Sequence, residues 1–369
     1  MKPNERVQAV YRGQTPDRVP LMLDLSHWYK RNRDTGFDLA GYTQVERGLV
    51  DLHRKVGAVA YVEMGAFYRL VPVDPEVTLE SRTEQGVFST RITTPVGSLY
   101  EERVFNPGSY SYGIRKHLLE SPADFPVVEF LMERLECRPR WELYRAWQEA
   151  LGEYAYPYAQ LPYSGSGYLI ARHMGVEKTV FAVHDQPDKV RRLVDAVNAC
   201  NRRILDALLD GPFETLIISD NYDSNVQTKE FFDRYERDYY TEVARRLHAR
   251  GKYLAVHVDG ESRGALGWLA ACGVDAADAL TPAPMFARTP ARMRAEAGPG
   301  LILSGGIPAT LFGPGAADAD FVACVKRWLD TRRDSPRLIL AAGDQVPVEA
   351  PFDRIAMLAE LAEEYGTYA

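Results

Sequence analysis

Side chains suited to acid–base or metal chemistry follow several short apolar runs in this sequence. They are Asp24, His27, Glu63, Asp220, Asn221, His257, Asp259, Asp344 and Gln345. Carboxylates are costly to bury unless they are protonated, paired with a cation or bound to a metal ion. If the fold brings these residues into one cavity, the sequence predicts a site for proton transfer or for a cation.

The segment AVHVDGE carries the most specific of these patterns. His257 and Asp259 stand two apart where a predicted strand ends, and side chains at i and i+2 of a strand share a face. An imidazole and a carboxylate that converge there suit a zinc-type divalent ion, and Asp344 would supply a third ligand. The alternative is a histidine held by a nearby aspartate, with Asp259 and Gly260 forming a turn.

Two further acids are candidate catalytic residues. Asp220, in ISDNYDS, and Glu63 would orient the substrate or act as the general acid. Each also has a structural interpretation. Asp220 could cap the helix that follows it, and Glu63 could be solvated or paired with an arginine.

The predicted substrate contacts come from the strand ends and from a tyrosine-rich segment. They are Asp24, His27, Asn221, Tyr163 and Gln345. Tyr163, together with Tyr110 and Tyr112, would offer flat amphipathic walls to an aromatic or large planar ligand. The glycine-rich LSGGIPATLFGPG matches no nucleotide-binding motif, so we predict a tight strand-to-loop turn there and no cofactor-binding residues.

The elements that must position these residues alternate between short apolar runs and segments of helical period, as in βαβ units. The runs cover residues 18–25, 56–64, 154–162, 215–221, 252–260, 274–282, 301–306 and 337–344. Eight parallel strands close a small barrel whose active site lies at the carboxyl ends of the strands. The predicted fold class is therefore α/β, a (β/α)8 TIM barrel.

An insert of about residues 72–150 separates the second and third predicted strands. Its segment TLESRTEQGVFSTRITTPVGSLYEERVF alternates as a β-hairpin or ribbon does. A helix is predicted to begin after it, with Ser121 as the cap and Pro122 as the first helical residue. We predict that residues 1–369 form a single barrel domain with this insert on its rim.

The composition excludes several classes of protein. The 369 residues are 46% hydrophobic and 26% charged, with a net charge of −7, so a surface that binds nucleic acid is not expected. No apolar run is long enough for a membrane span, and we expect a cytoplasmic protein. The four cysteines lack CxxC spacing and are predicted to be structural. Because barrels commonly dimerise, a homodimer is the oligomer to test.

In these features the sequence resembles the uroporphyrinogen decarboxylase superfamily, which includes corrinoid-dependent methyltransferases. The resemblance runs nearly end to end. It rests on NERVQAVYRGQTPDRVP, TPVGSLYEE, HVDGE with CGVDAADALTPAP, LSGGIP and GDQVPVEAPFDRIAMLAELAEEYG. It implies a (β/α) barrel, in agreement with the strand count.

The resemblance also implies two activities, and the chain departs from the motif of each. The arginine-rich R-Q-A-G-R element of the decarboxylases is replaced by LDLSHWYKRN. In the methyltransferases, zinc is bound by a histidine and two cysteines, at positions that resemble His257, Asp259 and Asp344 here. Two carboxylates in place of two thiolates favour a harder Lewis acid acting on an oxygen substrate.

The leading hypothesis is therefore a metal-dependent methyltransferase. It would demethylate a methoxylated or methylated small molecule, with zinc as the first candidate metal and a corrinoid on a separate partner protein. One alternative is a cofactor-free decarboxylase, in which Arg69 or Arg172 would hold substrate carboxylates. A second is a non-catalytic barrel that binds a small molecule or a tetrapyrrole.

Overall fold

A parallel sheet forms the centre of the protein. The computed structural model describes residues 1–33, 43–64 and 67–368, and only the backbone of Glu63 and Met64. The strands are β1 Met22–Leu23, β2 Val59–Ala60, β3 Glu63–Met64, β4 Tyr68–Pro72, β5 Thr78–Glu84, β6 Val87–Thr94, β7 Gly97–Asn106, β8 Ser111–Lys116, β9 Leu135–Pro139, β10 Tyr158–Leu161, β11 Thr215–Ile218, β12 Tyr253–His257, β13 Ala276–Leu280, β14 Ile302–Ile307 and β15 Leu338–Ala342.

Helices follow most of the parallel strands. They are α1 Pro3–Tyr11, α2 Ser26–Arg33, α3 Arg47–Val56, α4 Phe125–Glu133, α5 Trp141–Leu151, α6 Gly165–Gly167, α7 Val176–Asp185, α8 Pro187–Leu208, α9 Lys229–Tyr235, α10 Arg237–His248, α11 Ala265–Ala271, α12 Pro290–Ala297, α13 Ala309–Phe312, α14 Asp318–Asp330 and α15 Phe352–Tyr365. A π-helical turn, Tyr168–His173, follows α6. In the described residues no helix is long and apolar enough to cross a membrane.

The strand pairing is parallel throughout the central sheet. Its seven strands lie in the order β15, β14, β13, β12, β11, β10, β3, so neighbours in the sheet are also successive parallel strands along the chain. β1 pairs with β2 in a separate two-stranded parallel sheet. Each of the eight apolar runs contains a strand, including 154–162, which holds β10. The α/β class with a parallel sheet is thus confirmed.

A buried layer near the amino ends of the strands joins these elements. It takes one side chain from each strand position: Met22, Val59, Tyr158, Ile217, Ala255, Ala276, Ile302 and Ile339. Val7, Val10 and Tyr11 of α1 pack against the same layer. Isolated parallel bridges also join Leu21 to Leu340 and Ala60 to Ala155. This end of the sheet is therefore filled by apolar and tyrosine side chains.

An antiparallel sheet of four strands, β5 to β8, lies between β4 and α4 in the chain. The alternating segment predicted as a hairpin supplies β5, β6 and β7, which pair with neighbours in sequence. β8 adds a fourth strand, with a register shift near Arg103. β4 and β9 form a further antiparallel pair.

One predicted helix boundary was wrong. The helix expected from Pro122 begins at Phe125, because the Asp124 carboxylate accepts hydrogen bonds from the Glu120 and Ser121 amides and holds a turn ahead of it. Further along the chain, Glu236 separates the helices α9 and α10.

The four cysteines are free thiols. Cys200, Cys272 and Cys324 are buried, and burial raises the pKa of each of these thiols. Buried neutral thiols behave as small apolar groups, so these residues belong to the packing of the helices.

The buried His53 of α3 should make the free energy of unfolding depend on pH. It is 1% exposed and its Nδ1 donates to the Ala58 carbonyl, and burial lowers its pKa from 6.5 to about 4. Between these pH values the unfolded chain binds a proton at His53 that the folded chain does not. Stability should therefore fall as pH falls through this window, by up to about 3 kcal/mol.

Urea unfolding of His53→Gln across that pH range tests this expectation. In this variant the free energy of unfolding should depend less on pH than in the wild type. His184→Gln, which replaces a side chain that is 87% exposed, should show the pH dependence of the wild type. If the free energy of unfolding changed with pH equally in the wild type and in His53→Gln, His53 would not be the source of the pH dependence.

Candidate active site at the carboxyl ends of the strands

A small cavity lies where β1, β12, β13 and β15 end. Its polar lining consists of Asp24, Tyr61, His257, Asp278 and Asp344. The cavity volume is about 20 Å³, which is room for about one water molecule. The fold therefore gathers residues from separate strands around one small cavity.

His257 is held in one orientation by the neighbouring strand. Its Nδ1 lies 3.2 Å from Asp278 Oδ2, and Ser304 Oγ donates to the other oxygen of Asp278 at 2.8 Å. His257 and Asp278 are also register partners in β12 and β13. A carboxylate at Nδ1 fixes the ring and its tautomer, so that Nε2 is the nitrogen presented to the cavity.

Asp344 lies on the other side of that ring. Its Oδ1 is 3.9 Å from His257 Nε2, and its side chain is 39% exposed. The imidazole is thus flanked by two carboxylates, one buried and one open to solvent. Such a ring can hold a proton between two acceptors or share a ligand with Asp344.

Two other acids, Asp259 and Asp24, have perturbed pKa values. Burial, and after it the Asp344 carboxylate, raise the pKa of Asp259 to about 6. Burial likewise raises the pKa of Asp24, whose Oδ1 accepts a hydrogen bond from the Ser26 amide. Burial lowers the pKa of His27, and Asp24 partly offsets this. Asp24, His27 and Asp259 are therefore poorly solvated, in contrast to Asp344.

The predicted metal ligands are brought together only in part. His257 and Asp344 approach each other, and Asp259 is close enough to act on both electrostatically. Within residues 1–33, 43–62 and 67–368, no group of three or more His, Cys, Asp or Glu side chains is arranged to hold a metal ion. The side chains as placed therefore do not form a complete ligand set.

Asp220 lies deeper than predicted. It is 1% exposed, its Oδ1 accepts from the Ser164 amide at 2.7 Å, and its Oδ2 accepts from the Tyr240 hydroxyl. Both oxygens are thus occupied within the protein, which favours a positioning role. The alternative, a cap for the next helix, is wrong, because Thr228 caps α9.

The other predicted residues are dispersed around the rim. Glu63 stands in β3, but its side chain is outside the described part of the chain. Asn221 is exposed and has φ of +47°, a conformation that asparagine tolerates. Tyr163 is partly exposed, and its carbonyl accepts from Asn201.

A second, outer cavity of about 230 Å³ lies beside His27 and Gln345. It is lined by His27 and Gln345, both predicted to contact substrate, and by Gly108 and Ser109 from the turn between β7 and β8. His27 acts electrostatically on Asp24, which lines the inner cavity. The antiparallel sheet therefore reaches the entrance of the candidate site.

A larger surface cavity, of about 680 Å³, lies at the opposite end of the strands. It is lined by Val19, Leu21 and Gly57, at the amino ends of the first strands, and by residues of α15. Its lining includes Glu360, Glu363 and Glu364 but, among the described residues, no histidine. Chemistry is better supported at the smaller inner cavity, since active sites on parallel α/β folds lie at the carboxyl ends.

The sequence analysis did not predict Asp278 and Ser304 as residues of the site. The signal for Asp278 was present, because it is a single acid in the otherwise apolar strand AADAL, every residue of which is buried. A charged group in such a strand needs a partner. Which partner it has depends on strand register, which the sequence pattern does not reveal.

Residues 161–365, more than half of the chain, match the family model described as uroporphyrinogen decarboxylase (URO-D). This span includes His257, Asp278 and Asp344. No curated protein sequence matches the chain.

Among solved structures, a methyltransferase from Methanosarcina mazei has a similar fold, with a TM-score of 0.67 and 13% identity over 99% of each chain. At this identity the likeness concerns the fold alone. A D-psicose 3-epimerase solved with D-fructose gives a TM-score of 0.36 and 11% identity over 61% of this chain and 81% of that chain, which is too low to carry an argument.

Proposed function

The chain belongs to the uroporphyrinogen decarboxylase family, as a divergent member, and from this premise we propose that it is a methyltransferase. It removes a methyl group from a methoxylated or methylated small molecule and passes it to a corrinoid carried by a separate protein. The observation that carries the proposal is the His257 ring, fixed by Asp278 at Nδ1 and directed with Nε2 towards Asp344.

The proposed architecture is one (β/α)8 barrel domain over residues 1–369, with an insert of about residues 72–150 on its rim. The bridges Leu21 to Leu340 and Ala60 to Ala155 support closure of the sheet by β1 and β2. The buried cluster that takes a side chain from each of eight strand positions supports it independently, because the interior of a closed barrel is filled by side chains from all of its strands, in layers contributed by alternate strands.

In the proposed reaction the methyl group leaves as its bond to oxygen breaks, and the oxygen gains a proton. His257 is placed to supply that proton, with Asp278 holding the ring in position and Asp344 beside the second nitrogen. Asp24, His27, Asn221, Tyr163 and Gln345 are the proposed substrate contacts. Asp220 and Glu63 are proposed to support catalysis, Asp220 by positioning Ser164.

A divalent ion, with zinc first, is the proposed metal. It would take the place of the proton on His257 Nε2, and its proposed ligands are His257, Asp259 and Asp344. The imidazole–carboxylate pair at Nδ1 supports this, because metal-binding histidines commonly donate their second nitrogen to a carboxylate. No step is assigned to the ion, since the three side chains do not converge as a ligand set.

Decarboxylation is the second candidate. It is favoured by the raised pKa values of Asp24 and Asp259, because a carboxyl group that retains its proton can donate it to a carbanion. Methyl transfer and decarboxylation are distinguished by their products.

The test incubates the purified protein with methoxylated aromatic compounds, neutral and acidic, and with free reduced cobalamin as methyl acceptor, with and without added zinc. We expect the demethylated phenol and methylcobalamin in equal amounts, measured by chromatography and absorbance. Release of carbon dioxide without methylcobalamin would instead identify a decarboxylase. Unchanged compounds in every incubation would contradict the proposed methyl transfer to cobalamin.

A further inference from the structure

Two arginines converge between the antiparallel sheet and the π-helical turn. Arg103 Nη2 donates to Glu101 Oε1 at 2.6 Å, and Arg172 Nη2 donates to the same oxygen at 2.8 Å. Glu101 is 4% exposed. Neither arginine forms a two-point pair with this carboxylate, although the guanidinium geometry suits such pairing.

The charges of this cluster do not balance. Two guanidinium groups, which keep their charge in proteins, face the single carboxylate of Glu101. Burial lowers the pKa of His173 and of His117, so both imidazoles are neutral near pH 7 and leave the excess positive charge of the two arginines unchanged. A buried excess of positive charge is unfavourable until an anion compensates it.

Unused hydrogen-bonding groups accompany the excess charge. Arg103 Nε is buried without a hydrogen-bond partner. The Arg103 and Arg172 side chains nevertheless remain 21% and 15% exposed, so part of each guanidinium is open to an incoming anion. Burial also lowers the pKa of Arg103, which reflects its incomplete solvation.

Aromatic rings continue the same face of the sheet. Phe88 is the register partner of Arg103, and the guanidinium carbon lies 5.9 Å from the centre of the Phe88 ring. Phe105, two residues along β7, contacts Tyr112 with ring centres 5.4 Å apart, and Tyr112 also contacts Phe88. All three rings are partly exposed, so the face offers planar apolar surface beside a cation.

This face adjoins the candidate active site. Beyond Phe105, the chain turns at Gly108 and Ser109, which line the outer cavity with His27 and Gln345. On the other side, Tyr163 interacts electrostatically with Arg103. A ligand held by the sheet would therefore lie at the entrance to the strand-end cavity.

We propose that Arg103 and Arg172, with the rings of Phe88, Phe105 and Tyr112, form a binding site for an aromatic carboxylate. The guanidinium groups hold the carboxylate and the rings pack against the aromatic part. This site selects the substrate of the proposed methyl transfer, and in that respect it rests on the proposed function. The substrate class is thereby narrowed to methoxylated aromatic acids.

Calorimetric titration of the intact protein with para-methoxybenzoate and with its uncharged analogue para-methoxybenzamide tests the site. The wild type should bind the acid about ten-fold or more tightly than the amide, since hydrogen bonds to charged groups contribute about 1.5–3 kcal/mol. Arg103→Met should remove this preference. Arg115→Met, on the same sheet but with a parent side chain 60% exposed, should retain it.

Thermal unfolding of each variant separates a binding role from a structural one. A second variant, Arg103→Lys, keeps the charge and should retain part of the preference if Arg103→Met proves unstable. Equal binding of acid and amide by the wild type, or no binding of either, would overturn the site. If the protein bound the acid more tightly than the amide but did not demethylate it, the methyl-transfer proposal would be wrong and the binding site would be supported.

Discussion

Replacing His257 with alanine should lower kcat/KM by about a thousand-fold while the fold persists. Proton transfer by a positioned side chain commonly contributes 10²- to 10⁴-fold to rate. In this protein the ring is 8% exposed and held by Asp278, so no other described imidazole can take its position beside Asp344. The loss should appear in kcat, whichever of methyl transfer or decarboxylation the wild type performs.

Two variants make this result specific. Asp278→Asn keeps the shape of the side chain but removes the charge that orients His257, and a loss of about ten- to a hundred-fold is expected for an orienting partner. His184→Ala removes an imidazole that is 87% exposed and should leave the rate unchanged. Turnover by His257→Ala within a few-fold of the wild type, with the same circular dichroism, would remove His257 from the reaction.

Replacing Gly305 with alanine should destabilise the protein by roughly 2–5 kcal/mol or prevent folding. Gly305 of β14 has φ of +134°, and a Cβ there would lie 2.4 Å from the Leu280 carbonyl oxygen and 2.6 Å from the Leu280 nitrogen. The positive φ costs about 1–2 kcal/mol and forced packing about 1–3 kcal/mol. The obstacle is backbone of the neighbouring strand, which cannot move without breaking the sheet.

Gly300 provides the matched control. It lies just before β14, and a Cβ at this position meets nothing within 4 Å. Gly300→Ala should change stability by less than about 0.5 kcal/mol. Urea unfolding measures both variants. An unchanged midpoint for Gly305→Ala would show that the close approach of β13 and β14 is relaxed in solution.

Gly305 also connects the stability of the sheet to the candidate active site. Ser304, immediately before Gly305, donates to Asp278, which orients His257. The glycine-rich LSGGIP segment thus lets two strands approach closely enough for this hydrogen bond to form. The sequence analysis expected a tight strand-to-loop turn in this segment. The positive φ values of Gly305 and Gly306 instead fall inside β14, so the glycines serve the contact between strands.

The sequence by itself determined the parallel α/β class and the location of the polar residues. Hydrophobic periodicity is a local property, and buried parallel strands appear as short continuous apolar runs such as TLII and ILSGGI. Since parallel strands point the same way, the residues after each run could be assigned to one end. His257 and Asp344 were found in this way, 87 residues apart in the chain and 3.9 Å apart in space.

Only the tertiary structure decided which groups pair within that end. Register between β12 and β13 brings Asp278 beside His257, and packing of α10 brings Tyr240 to Asp220. These contacts join residues distant in sequence, and a one-residue change of register would turn Asp278 away from the cavity. The charge of a carboxylate is encoded locally, but its partner, and therefore its chemistry, is set by long-range packing.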